Sequence, residues 1–231
     1  MRYLTFLTGL LMATALTAQT NALGLRAGLG FFDQRIAADG IAIELDERSG
    51  ISAALFYEIG LTPYLSLQPE LAFTQKGHKV VSEDGYQSIE LDGQGNVTSV
   101  VTDIEQRVRY NYLEVPLLAK GHYGNEQLRG YALLGPSVGY LLGGDYVEEF
   151  GGERTEMPLE LTEEEGVNRL ELSLVAGAGL AYRIGTPWLL AEVRYARSLT
   201  SLIDSEEDFE AGLYNRGIQL SVGLQLPLAG R

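Results

Sequence analysis

The sequence predicts an all-β fold: an eight-stranded antiparallel up-and-down transmembrane β-barrel. Three observations predict it. Apolar and polar residues alternate through eight separate runs, the period of a strand whose two faces differ. The connections between the runs alternate between long and short. The charge is lopsided: 25 of the 31 acidic residues, but only four of the 17 basic ones, fall in the segments 33–50, 77–105, 144–168 and 199–214, read as long loops. A chain with two chemically different ends suits a barrel standing in an outer membrane, loops out and turns in.

Composition narrows the field. The 231-residue chain carries a formal charge of −14, which argues against nucleic acid, whose phosphates need Lys and Arg. It has no cysteine, so a disulfide framework and Cys-based metal or redox chemistry are excluded. Its mean hydropathy is zero, where a helical membrane protein is far more apolar. Residues 1–22 read as a cleaved secretory signal: Arg2 is the positive end, Leu4 to Ala18 the apolar run, and Thr20-Asn21-Ala22 a small-x-small cleavage site, with Ala18 as an alternative. The run is shorter than the ~20 residues of a spanning helix. Residues 23–231 are then one barrel domain.

The strands follow in order. Leu23, Leu25, Ala27, Leu29 and Phe31 oppose Gly24, Arg26, Gly28 and Gly30. Ile51, Ala53, Leu55, Tyr57 and Ile59 oppose Ser52, Ala54, Phe56 and Glu58. Leu65, Leu67, Pro69, Leu71 and Phe73 oppose Ser66, Gln68, Glu70 and Thr74. The fourth run, about 106–120, sets Val108, Tyr110 and Tyr112 against Arg107, Arg109 and Asn111, after which Val115, Leu117 and Ala119 become the apolar set. A bulge near Glu114-Val115-Pro116 accounts for that slip, because one extra residue exchanges the faces. The fifth run carries Ala132, Leu134, Val138, Tyr140 and Leu142. The sixth sets Leu170, Leu172, Leu174, Ala176, Ala178, Leu180 and Tyr182 against Glu171, Ser173, Gly177, Gly179 and Arg183. The seventh sets Leu189, Ala191, Val193 and Tyr195 against Glu192 and Arg194; the eighth sets Ile218, Leu220, Val222, Leu224 and Leu226 against Gln219, Ser221, Gly223 and Gln225. Short turns fall near 60–63, 121–128 and 184–187, each with Gly, Pro or Asn turn chemistry.

Alternation alone does not say which face points in. In a soluble lipocalin-like barrel the apolar face lines a cavity. Here the polar face is crowded with Gly, Ser and Ala, which suits the tight interior of eight strands. The apolar face is therefore expected to meet lipid. Tyr57, Tyr64, Phe73, Tyr110, Tyr112, Tyr140, Tyr182, Trp188 and Tyr195 lie near strand ends, where interfacial girdles form. Ordinary β-propensity places Tyr and Phe there as well.

Several segments, in order, resemble one family. Leu67-Gln68-Pro69-Glu70-Leu71-Ala72-Phe73-Thr74-Gln75-Lys76-Gly77 is similar to the "LQPELxYxxKG" strand of the PorT-like outer-membrane β-barrel family, common in Bacteroidetes. Tyr112-Leu113-Glu114-Val115-Pro116-Leu117-Leu118-Ala119-Lys120 resembles its "YLEIPLLLK" strand, and Gly135-Pro136-Ser137-Val138-Gly139-Tyr140-Leu141-Leu142 its "GPYxGYLL" strand. Val175 to Leu180 and Glu192-Val193-Arg194-Tyr195 are similar to its later portion. The resemblance implies an outer-membrane barrel and brings in accessory work in protein secretion as one reading of its role.

Candidate chemistry is sparse. His78, with Ser82, Glu83 or Asp84, is a conceivable hydrolase constellation, although a surface histidine in a loop explains it as well. His122 lies in a short turn at the other rim. Asp204, Glu206, Glu207, Asp208 and Glu210, and Glu163 to Glu165, form acidic runs without an EF-hand spacing, so a diffuse cation atmosphere is favoured over a built Ca²⁺ site. Interior ion pairs are expected among Arg26, Glu58, Glu70, Arg107, Arg109, Glu114, Lys120, Glu171, Arg183, Glu192 and Arg194. They suit either a salt-bridged plug or a narrow gated pore; eight strands leave room for little beyond side chains, which favours the plug.

The expectation is a monomeric, non-enzymatic barrel in a bacterial outer membrane, embedded in lipid, with no cofactor and no nucleic-acid partner. Its acidic extracellular loops would meet divalent cations, surface polysaccharide or an envelope or secretion protein, as a structural or interaction scaffold. A narrow porin-like channel and an accessory secretion component stand as alternatives. A soluble lipocalin-like binder and a barrel hydrolase come last.

Overall fold

The computed structural model describes residues 21–38, 41–91, 97–150, 153–159, 161, 166–203 and 211–228. Ten strands form one antiparallel sheet: β1 (Ala22–Ala38), β2 (Ile41–Glu44), β3 (Asp46–Gly60), β4 (Leu65–Leu91), β5 (Val97–Gly124), β6 (Leu128–Phe150), β7 (Glu153–Pro158), β8 (Leu170–Arg183), β9 (Trp188–Ser198) and β10 (Ala211–Pro227). Eight of them, β1, β3, β4, β5, β6, β8, β9 and β10, pair in sequence, and β10 pairs back to β1 to close a ring. The short β2 and β7 pair to β1 and β6 outside the ring. The closing seam runs from Ala22 opposite Pro227 to Ala38 opposite Ala211. Closure gives each ring strand two neighbours, so no sheet edge faces lipid. Among the described residues no helix is long and apolar enough to cross a membrane.

Three tight turns join strands at one end. At 61–64, the Leu61 and Thr62 amides both donate to the Leu65 carbonyl. At 125–127, Asn125 Oδ1 accepts from the amides of Gln127 and Leu128 at 2.9 and 2.8 Å, a side chain standing in for a turn carbonyl. At 184–187, Gly185 adopts φ +69°, a conformation that favours glycine.

The apolar face points outward. Leu25, Leu55, Leu71, Val115, Leu134, Leu174, Val193 and Val222 are all exposed, while Arg26, Ser52, Glu70, Glu114, Ser137, Ser173, Arg194 and Ser221 on the opposite parity are buried. The lipocalin-like alternative therefore fails: its apolar residues would have lined the interior. The outward row stays apolar for about nine residues per strand, the span of a tilted transmembrane strand. Above Phe31, Ile51, Phe73, Leu113 and Ile218 it turns polar, with Asp33, Ser49, Gln75, Asn111 and Arg216 at the next outward positions. That polar ring marks the upper edge of the lipid belt.

Two expectations need correcting. Of the segments read as long loops, 33–50 and 77–105 are largely strand: β4 and β5 run 27 and 28 residues and pair far above the belt, from Gln75 opposite Asn111 up to Leu91 opposite Val97. Polarity is a poor loop signal here, because above the membrane both faces of a strand meet water. The bulge is also elsewhere. β5 alternates without a slip, burying Tyr110, Tyr112, Glu114, Leu118 and Lys120 in turn. The irregularity lies in β6, where Asn111 opposes Gly143 and Tyr112 opposes Leu141, leaving Leu142 as the extra residue. Tyr110 and Tyr112 therefore point inward and are not girdle residues; Trp188 is buried as well.

Candidate functional site

The barrel interior is the most organised polar region among the described residues. Nearest the short turns, Lys120 Nζ donates to Glu58 Oε2 at 2.7 Å and to Gln68 Oε1 at 3.0 Å. The ammonium lies 4.4 Å from the centre of the Tyr131 ring, which holds the charge by a cation–π contact. Gln225 Nε2 donates to the same Glu58 oxygen at 3.0 Å. Phe56, Leu118, Tyr131, Leu133, Trp188 and Leu190 pack beside these groups as an apolar half-plug.

The middle tier centres on Glu70. Arg194 grips it with both terminal nitrogens, at 2.8 and 2.7 Å, a fork geometry that matches carboxylate well. Arg26 Nη2 adds a third bond at 3.1 Å, and Gln68 Nε2 a fourth at 2.6 Å. Glu192 takes the remaining Arg194 nitrogen, Nε. Ser52 donates to Gln219 at 3.1 Å alongside.

The upper tier centres on Lys76. It pairs with Glu114 at 2.8 Å and with Glu171, and sits 4.7 Å from the Tyr112 ring centre. Thr74 donates to Glu114 at 2.6 Å; Ser173 and Asn215 donate to Glu171 at 2.9 and 2.6 Å. Gln34 links Asn215, at 2.8 Å, to His78. Above this tier, Leu161 and Leu202 from the connections pack on Tyr110, Tyr112 and Leu141. Arg169 pins the first of these by donating to the Leu161 carbonyl at 3.0 and 2.7 Å.

Little space remains. The recess at the short-turn mouth, lined by Glu58, Lys120, His122, Arg129 and Trp188 among others, holds about 20 Å³. The one among Arg26, Gln68, Glu192 and Arg194 has about 0 Å³. A water molecule needs roughly 10–15 Å³ on this measure, so the first fits a water and the second none.

Of the expected interior charges, Arg26, Glu58, Glu70, Glu114, Lys120, Glu171, Glu192 and Arg194 stand in these tiers. Arg107, Arg109 and Arg183 do not. With no slip in β5, Arg107 and Arg109 share parity with outward-facing Leu113 and stand above the belt. Arg109 pairs there with Asp145 at 2.6 Å and Glu156 at 2.8 Å, and these carboxylates hold its guanidinium above its usual pKa, the Asp145 hydrogen bond first. Arg107 lies 3.7 Å from Glu149. Arg183 has inward parity but falls past the last interior tier, where it donates to the Gly185 carbonyl at 3.0 Å beside the Trp188 ring. The missed members are Lys76, Gln68, Thr74, Asn215 and Gln34. Lys76 was legible by parity: it continues the series Glu70, Ala72, Thr74.

His78 is not in a loop; it belongs to β4, half-buried and turned inward to Gln34. The side chains of Ser82, Glu83 and Asp84 lie outside the described residues, as do Glu163 to Glu165 and Asp204 to Glu210. Among the described residues no three His, Cys, Asp or Glu side chains gather into a potential metal cage.

A closed ring with an apolar belt and a salt-bridged interior defines an integral membrane β-barrel. The sequence profile of the outer membrane protein beta-barrel domain matches residues 17–204, and the chain belongs to that family, which places it in the outer membrane. No curated protein matches the sequence. Solved structures of similar shape include the attachment invasion locus protein Ail of Yersinia pestis in complex with the heparin analogue sucrose octasulfate, at 18% identity and TM-score 0.38, covering 90% of this chain and 99% of that one. OprG of Pseudomonas aeruginosa follows at 13% identity and TM-score 0.42, covering 91% and 98%. The outer membrane protease OmpT of Escherichia coli stands at 11% and 0.43, covering 92% and 98%. At such identities and scores these likenesses carry no argument about what this chain does.

Proposed function

We propose that the protein is a non-conducting, non-enzymatic scaffold of the cell surface, with residues 1–22 removed on export and residues 23–231 forming a monomeric barrel. The observation that carries this reading is the filled interior. Among the described residues, nine buried charges occupy three tiers, Arg26, Lys76, Lys120 and Arg194 against Glu58, Glu70, Glu114, Glu171 and Glu192, and the two recesses between them hold about 20 and 0 Å³. A solute channel needs a continuous wet path; here desolvated ion pairs link strands across the interior, and such pairs strongly resist being pulled apart.

The interacting end is the one with the long hairpins, which faces out of the cell in this reading. It concentrates the acidic residues, and part of that charge is already spoken for: Asp145, Glu149 and Glu156 pair with Arg109 and Arg107. The remainder favours divalent cations, or a surface polysaccharide held through them, over an anionic partner. Planar-bilayer recording tests the proposal. Purified protein should insert without discrete current steps; steps of uniform size would overturn the scaffold reading in favour of a narrow channel. Accessory work in secretion, which the PorT-like motifs suggest, predicts instead a stable envelope partner that co-purifies after mild cross-linking.

A further inference from the structure

The outer wall carries a feature that the interior network does not use. On β1, β9 and β10, immediately above the lipid belt, Arg35, Arg197 and Arg216 line a recess of about 320 Å³ with Tyr195, Tyr214 and Leu199. Arg216 and Arg197 stand directly opposite each other across the β10–β9 pair. Like charges in that position repel. Asp33 pairs with Arg216 at 2.6 Å. Among the described residues Arg35 and Arg197 have no ion-pair partner, and Arg35 Nε is buried with no hydrogen-bond acceptor. Among the described residues, Arg35 and Arg197 thus bring two guanidiniums without a carboxylate to one recess, on a chain of net charge −14. Such a cluster attracts an anion.

Directly below, on the same three strands, an apolar groove of about 380 Å³ runs down the lipid face, walled by Ala27, Leu29, Phe31, Ala191, Leu220 and Val222. Small Ala27 and Ala191 leave it open between the larger neighbours. From Leu220 to Arg216 is four residues along β10, roughly 13 Å. A charged recess above an apolar groove has the polarity of a lipid: head at the membrane interface, chains along the belt.

We infer that this wall binds a membrane lipid bearing a phosphate headgroup, its phosphate held by Arg35, Arg197 and Arg216 and its acyl chain lying in the Ala27–Ala191–Val222 groove. Arginine forks bind phosphate oxygens in pairs, and the flanking tyrosines sit where aromatic residues meet headgroups. The inference requires a membrane-embedded barrel. It does not depend on whether the lumen conducts, nor on which end faces out of the cell.

The test is native mass spectrometry of the folded, detergent-purified barrel titrated with phosphatidic acid, with diacylglycerol of the same chains and inorganic phosphate as the two halves of the ligand. One phosphatidic acid should be retained, displaced by neither half alone. Arg35→Gln and Arg197→Gln should each weaken retention about tenfold, the loss of one charge-assisted hydrogen bond. Arg129→Gln, which removes the same charge at the other rim, should leave it unchanged. Ala191→Trp, which fills the groove, should weaken lipid retention as well. Both arginine variants are surface changes, and a heat-modifiable band shift verifies that each is folded. Undiminished retention in folded Arg35→Gln and Arg197→Gln would overturn the site. Displacement by inorganic phosphate alone would overturn the lipid assignment.

Discussion

Two sets of arginines, only a few strand residues apart, live under opposite rules. Inside the barrel, Arg194 and Arg26 share Glu70, and the Arg194 fork is filled on both sides by Glu70 and Glu192. Outside, Arg197 lies three residues up the same strand as Arg194, and faces Arg216 across the sheet. Parity alone separates them: odd positions of β9 face lipid and headgroups, even positions face the core. A charge that is sealed from water must bring its partner with it, because desolvation is too costly to leave unmatched. A charge at the membrane interface can leave part of its pairing to what lies outside the protein.

The largest effect expected from breaking this contrast is Glu70→Ala. It takes from Arg26 its carboxylate and leaves Arg194 with Glu192 alone, and should cost about 3–5 kcal/mol, the usual loss on removing one partner of a buried pair. Urea unfolding in detergent micelles, followed by tyrosine and tryptophan fluorescence, reads it as a fall in midpoint with an unchanged slope. Gly28→Ala comes next. Gly28 faces the interior at the closing seam, and a Cβ there would lie 2.0 Å from the Leu220 carbonyl oxygen, so β1 and β10 would have to part. Overpacking of this kind costs about 1–3 kcal/mol, and the heat-modifiable band should persist but convert at a lower temperature. Arg109→Ala, at a half-exposed ion pair above the belt, should cost about 0–1 kcal/mol in the same urea assay. Arg197→Gln should sit within about 0.5 kcal/mol of wild type in lipid-free detergent, since it touches no buried partner.

Much of this was legible in the sequence. The parity of Leu23 to Phe31, Leu170 to Tyr182 and Ile218 to Leu226 gave the strands and, with the glycine and serine on the other parity, their outward face. What misled was chemistry that serves two environments. Tyr110 and Tyr112 suit a headgroup girdle and a core equally, so their inward turn is hidden in the sequence; read as outward, they require a bulge in β5 to agree with Val115 and Leu117, and that bulge puts Arg107 and Arg109 on the wrong side. The actual extra residue, Leu142 beside Gly143 and Gly144, sits in an apolar-to-glycine passage where alternation carries no signal. Lys76 borders an acidic segment that reads as loop, yet its even parity places it with Glu70 and Thr74. The arginine recess depends on which strands become neighbours at the seam. Residues 35, 197 and 216 meet only because β10 pairs with both β9 and β1, and no local pattern announces that.

A pair of double-mutant cycles tests the contrast most directly: Glu70 with Arg194 in the core, and Asp33 with Arg216 on the outer wall, each by urea unfolding of the singles and the double. The account predicts a coupling of about 2–3 kcal/mol for the buried pair and below about 1 kcal/mol for the outer one. Equal, small couplings at both would mean that the interior charges are solvated, and would contradict a sealed, ion-paired barrel.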